Sequence, residues 1–115
     1  MKRQSAIVLG VGLTLTFAPT AHAFPVVGGN GLVPNAWALV QWAQDNYPGI
    51  TSVGGVRADH LPDHPSGHAV DLMVPNLDYG DQVYAAVMEN RATFNVRYVL
   101  WRVPNHYNHV HVTVD

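Results

Sequence analysis

The histidines of this chain are gathered rather than scattered. Six of the seven fall at His60, His64 and His68, and at His106, His109 and His111. The first group sits in the stretch Asp63-His64-Pro65-Ser66-Gly67-His68-Ala69-Val70-Asp71, the second in His106-Tyr107-Asn108-His109-Val110-His111. Imidazole is the commonest side-chain metal ligand. Two imidazole clusters in so short a chain read first as a metal site.

The spacing inside each cluster narrows the chemistry. An H-x-H pair on a strand puts both rings on one face. His109 and His111 therefore share a face with Thr113, and Val110, Val112 and Val114 go to the core. The bland alternative is the polar outer face of an edge strand. In the first cluster, His64 and His68 have the i, i+4 spacing of a helical metalloprotease. Pro65 and Gly67 lie between them, however, and the glutamate such a helix needs is missing. His64 instead belongs to a loop, and Asp71 to the strand that follows. A carboxylate inside so apolar a run costs free energy unless it is paired or binds a metal; orienting a histidine or capping a loop is its other role. Two histidines and one carboxylate leave a fourth position open, as in catalytic zinc sites. With no thiolate in the set, Zn²⁺ fits, and so do other divalent ions.

These residues need elements to hold them. Lys2 and Arg3, the apolar run Ala6 to Ala18, and Ala21-His22-Ala23 have the layout of a secretory signal peptide cleaved before Phe24. The run is too short to span a bilayer, which takes ~20 residues. Without residues 1–23, 92 of the 115 residues remain as one domain, secreted to the cell exterior or wall, with no membrane attachment after cleavage. That domain has no lysine and no cysteine, and its four arginines face eight carboxylates. The balance excludes a basic nucleic-acid-binding surface, and the missing cysteines exclude disulfide staples. A bound metal can replace them, because metal-binding free energy is also folding free energy.

Along the chain, Phe24 to Val33 is a Gly-rich extended lead-in. Asn35 is placed to cap a helix from Ala36 to Asn46, with Ala36, Trp37, Leu39, Val40 and Ala43 on its apolar stripe and Trp37 and Trp42 read as packing residues. Ile50 to Arg57 reads as a strand bent at Gly54-Gly55, Ala58 to Gly67 as a loop, and Ala69 to Val74 as a buried strand. Asp78 to Thr93 follows as a second helix, with Val83, Ala86, Val87 and Met88 inward. Phe94 to Arg102 is a strand with Val96, Tyr98 and Leu100 on one side, and His109 to Val114 is the last strand. The order predicts an α+β domain: a small, mostly antiparallel sheet with two helices on one face.

His64-x-x-Gly67-x-Ala69-x-Asp71 followed by His109-x-His111, with Arg57 ahead of the first motif and Asn105-His106-Tyr107 ahead of the second, resembles the lysostaphin/D-Ala-D-Ala metallopeptidase/hedgehog superfamily. It looks most like the small actinobacterial and phage M15-like domains, and the resemblance covers roughly Val53 to Val114. It implies a hedgehog/D-Ala-D-Ala peptidase-like fold over residues 24–115 and one zinc ion held by His64, Asp71 and His111. It implies His109 as a catalytic imidazole at the water or oxyanion, and Arg57 as both catalytic and substrate-binding. Tyr107 and Trp101 would line the substrate groove. The implied reaction is hydrolysis of peptide bonds in bacterial cell-wall peptidoglycan, of D,D-carboxypeptidase or endopeptidase type, by a secreted monomer. One position departs from the pattern. Asn108 stands where relatives carry an acidic general base, and an amide cannot take a proton. That leaves His109, or a loop carboxylate (Asp59 or Asp63), or a non-catalytic domain that binds zinc and peptidoglycan. Extracellular metal buffering is a third reading.

Overall fold

Along β5 (His109–Val114), Val110, Val112 and Val114 are fully buried on one face, and His109, His111 and Thr113 occupy the other. The computed structural model describes residues 24–115, and the leader read at residues 1–23 lies outside the described residues. β3 (Ala69–Met73) pairs antiparallel with β5, with Asp71 opposite His111 and Leu72 opposite Val110. Both strands thus send apolar side chains to one face, and Asp71, with Ala69 and Met73, lies on the other beside His109, His111 and Thr113. A slip of one residue would drive Asp71 and His111 into the apolar layer, so burial specifies the register.

Five strands form one sheet in the order β1-β2-β3-β5-β4. β2 (Ser52–Gly54) runs antiparallel to β3, and β4 (Val96–Leu100) runs antiparallel to β5. β1 (Val26–Val27) pairs with β2 in parallel, so the sheet is mixed but mostly antiparallel. The lead-in thus supplies a short fifth strand where the sequence suggested only extended chain. Among the described residues two helices, α1 (Pro34–Asn46) and α2 (Leu77–Glu89), complete an α+β domain. Leu39, Val40 and Ala43 of α1 and Val83 and Val87 of α2 join Val70, Leu72, Val110, Val112 and Val114 in one core. Both helices therefore cover the valine face. Fully burying a valine or leucine side chain is worth roughly 1.5–3 kcal/mol, so this face carries most of the fold's driving force. The opposite face is left to chemistry. Among the described residues no helix is long and apolar enough to cross a membrane.

Several boundaries differ from the sequence expectation. α1 starts at Pro34, whose fixed φ suits a first helical turn, and it has no side-chain cap. Asn35 bonds instead to the backbone carbonyl of Asp115. α2 starts after Asn76, which caps it by accepting from the Tyr79 N–H at 2.8 Å, and ends at Glu89 rather than Thr93. β2 stops at Gly54, because Gly55 and Val56 peel away to bond Val27 and Gly28. β4 is also shorter than expected, with a register shift between Val96 and Tyr98. The bulge separates Val96, which packs on the core, from Tyr98, which is exposed on the site face. Trp42 packs against Tyr47 and Phe94, whereas Trp37 lies at the surface.

Candidate metal centre

A loop, the strand that follows it and a strand 40 residues further on deliver three buried polar side chains to one point on the open face of the sheet. Asp71 comes from the middle of β3 and His111 from the facing position on β5. His64 comes from the loop between β2 and β3. Its ring is 2% exposed, Asp71 is 5% exposed and His111 is 7% exposed. One ligating atom from each lies within 4.8 Å of the others. Groups this polar are not buried together without partners, and their hydrogen bonds show what they are arranged for.

The loop that carries His64 folds back through its own backbone. The Ser66 N–H bonds Pro62, the Gly67 N–H bonds His64, and the His68 N–H bonds Asp63. Gly67 closes the turn at φ +81°, where it rests against the Gly31 carbonyl and leaves no room for a Cβ. His64 Nδ1 donates to the Gly55 carbonyl at 2.8 Å. Its other nitrogen, Nε2, is buried without a hydrogen-bond partner and lies 3.4 Å from Asp71 Oδ2. Orphaned buried nitrogens are rare. A cation between this nitrogen and the carboxylate would supply the missing partner.

His111 is set in the same way. Its Nε2 lies 2.8 Å from Thr113 Oγ1, and its Nδ1 lies 2.9 Å from Asp71 Oδ1. The two rings meet edge to face with centroids 5.1 Å apart. Tyr98 stacks on the outer face of His111 at 6.0 Å. Arg57 completes the cluster by donating from Nη1 to Asp71 Oδ2 at 2.8 Å.

The electrostatics follow from this geometry. Burial works against the Asp71 carboxylate, but the His111 and His64 imidazoles beside it outweigh that and hold its pKa far below the ordinary range. Burial likewise opposes a charge on His64, yet the Asp71 carboxylate and the Gly55 carbonyl leave its pKa raised. His109 goes the other way. Burial lowers its pKa, and Asp71, with Nε2 3.7 Å from Oδ1, only partly offsets that. The donor set of two imidazole nitrogens and one carboxylate oxygen, with one buried ring nitrogen unpartnered, fits a divalent cation.

A pocket of about 230 Å³ opens beside the cluster. Arg57, His64, His109 and His111 face it, and Asp59 and Asp63 are on its wall. His106 faces it too, 4.9 Å from the His109 ring. Leu61, Tyr98 and Leu100 supply its apolar side. The sequence did not mark Tyr98 and Leu100 as site residues; their alternation along β4 was the available signal. His68 is outside the cluster, bonded to Ser66 Oγ, and His60 is exposed in the loop.

Two expected groove residues sit elsewhere. Trp101 is buried in the core, its ring over Gly80 and its Nε1 donating to Asp81 at 2.8 Å. Its bulk and its one donor are both used in joining the β4–β5 connection to α2, so it does not line the pocket. Tyr107 is 55% exposed and borders a separate shallow depression with Asn105 and Asn108. Asn108 Oδ1 lies 2.7 Å from His109 Nδ1 and accepts a hydrogen bond from its N–H. Of the two loop carboxylates, Asp63 accepts from Tyr98 and Thr113, which together hold its pKa low. Asp59 accepts the His60 N–H.

Fold and site together define a small α+β domain built around a buried His-Asp-His group that could hold a metal ion. Within that class, the chain belongs to the family described as VldE, C-terminal domain, whose family model matches residues 28–109. The match takes in His64, Asp71 and His109 and ends two residues before His111. No curated protein and no solved structure matches the chain.

Proposed function

We propose that this chain is a secreted, zinc-dependent peptidase that hydrolyses peptide bonds of bacterial cell-wall peptidoglycan, of the lysostaphin/D-Ala-D-Ala metallopeptidase/hedgehog type. The observation that carries this reading is the convergence of His64, Asp71 and His111, with the unpartnered His64 Nε2 aimed at Asp71, beside a pocket that also holds His109 and Arg57. The order of the two motifs along the chain supports it.

In this reading His64, Asp71 and His111 would hold the ion, and a zinc ion in such a set would supply Lewis acidity. The remaining work falls to side chains. Arg57 spends one N–H on Asp71 and is half exposed, so its other donors can grip a substrate carbonyl or terminal carboxylate at the pocket wall. His109 Nδ1 is tied to Asn108, which leaves Nε2 as the basic nitrogen on the site side. Its lowered pKa keeps His109 neutral near pH 7. It can then accept at Nε2 the proton that the attacking water gives up and pass it to the leaving amine. Leu61, Tyr98 and Leu100 form the apolar side of the pocket.

The test is direct. Zinc-loaded protein is incubated with muropeptides ending in D-Ala-D-Ala and with cross-linked muropeptides, and products are read by mass spectrometry. Cleavage by wild type and its loss in His109→Ala with zinc retained support the reading. A second reading, a zinc-containing domain that binds peptidoglycan without cutting it, draws on Asn108 at the usual position of the acidic base. Wild type that binds muropeptides without cleaving them, together with cleavage by Asn108→Asp, selects that reading.

A further inference from the structure

Thr113 is fully buried, yet it is a hydroxyl on the polar face of β5 with a partner on either side. Its Oγ1 donates to Asp63 Oδ2 at 3.1 Å. A hydroxyl has one proton, so toward His111 Nε2, 2.8 Å away, the same oxygen can only accept. That direction places a proton on His111 Nε2. Tyr98 donates its hydroxyl to the same carboxylate oxygen of Asp63 while its ring stacks on His111. Asp63 is adjacent to His64 in the chain, and its backbone carbonyl takes the His68 N–H. One residue therefore ties the loop that carries His64 to the two strands that position His111.

We propose that Asp63 is a positioning residue for the metal centre. Acting through Thr113, it fixes His111 in the tautomer that carries its proton on Nε2 and turns the Nδ1 lone pair toward Asp71 and the cation. The inference deepens the metal-centre reading and rests on it. Its physical basis is general: a ligating imidazole gains orientation and basicity when its other nitrogen donates to a carboxylate-backed acceptor. Here the carboxylate acts one hydroxyl away, because β5 itself supplies the link at the position two residues beyond the ligand. Neither Asp63 nor Thr113 is one of the three groups that would touch the ion.

The experiment uses wild type and the variants Thr113→Val, Thr113→Ser, Asp63→Ala and Asp63→Ala/Thr113→Val. Zinc affinity is measured by chelator competition, and the His111 tautomer by long-range proton–nitrogen NMR of the zinc-loaded protein. Valine keeps the shape of threonine without the hydroxyl. Thr113→Val is expected to weaken zinc binding by about 10- to 100-fold and to lose the single Nε2–H signature. Serine should restore both. The double variant should bind zinc no worse than its weaker parent, because the two residues act in series. Should Thr113→Val fail to fold, Asp63→Ala set against Thr113→Ser makes the same comparison. Wild-type zinc affinity and tautomer in Thr113→Val overturn the relay alone, as do additive losses in the double variant. No zinc uptake by wild type overturns the metal centre and the relay with it, and the two failures are thereby told apart.

Discussion

Asp71 and His111 are direct partners across the β3–β5 ladder, and His111 Nδ1 lies 2.9 Å from Asp71 Oδ1. Directly opposed residues in an antiparallel pair have Cβ atoms only about 4.5–5.5 Å apart, so the backbone pairing already brings these two groups into ligand range. His64 then has to be added by a loop. The site is thus two-thirds rigid sheet and one-third loop, and the predictions follow that division.

Purified protein is expected to bind about one zinc per chain, measured by elemental analysis. Removing a ligand should do more damage than removing an outer partner. Asp71→Ala and His111→Ala should each weaken zinc binding by more than about 100-fold, since losses of outer partners alone run to about 10–100-fold. His68→Ala, outside the cluster, should leave affinity unchanged. Unchanged binding in His111→Ala would remove the site.

Metal binding should tighten as pH rises. The raised pKa of His64 means that its charged pairing with Asp71 stabilises the metal-free fold fully below the ordinary value of 6.5. That contribution is lost as pH climbs through the raised folded value. Zinc competes with the same proton, so its stabilising effect grows over the same range. The difference in Tm with and without zinc should therefore widen from pH 6 to pH 8. A difference that narrows with pH would contradict the assignment of His64 as a ligand.

Gly67→Ala tests the loop. A Cβ there meets the Gly31 carbonyl, and the residue has positive φ. Relieving that clash shifts the turn that ends the His64 loop. The variant should lose about 1–3 kcal/mol of stability to strain, seen by urea denaturation, and should bind zinc more weakly. Wild-type zinc affinity would show that His64 does not depend on this turn.

Gly80→Ala makes the opposite separation. The added Cβ meets the buried Trp101 ring on the helix side of the sheet. Overpacking of this kind costs about 1–3 kcal/mol, so thermal unfolding should shift down while zinc affinity holds. A parallel loss of zinc would mean that Trp101 supports the site more directly than its packing shows.

The alternation of valine with histidine and threonine along β5, and the apolar run around Asp71, were legible in the chain itself, because a strand's period of two sorts side chains by face whatever packs against them. The α+β order, the two helical stripes and the prominence of His64, Asp71, His109 and His111 could be read the same way. Trp101 could not, since an aromatic beside a motif looks alike whether it faces a groove or a helix glycine. The bulge that turns Tyr98 onto His111, the short parallel strand at Val26–Val27, and the meeting of Asp63 with Thr113 depend on residues up to 50 positions apart. Local pattern specifies which face a side chain takes; only the packing of distant segments decides what it meets there. In this protein His64 is oriented by the nearby Gly55 carbonyl, whereas the hydroxyl that meets His111 is held by a carboxylate 50 positions away.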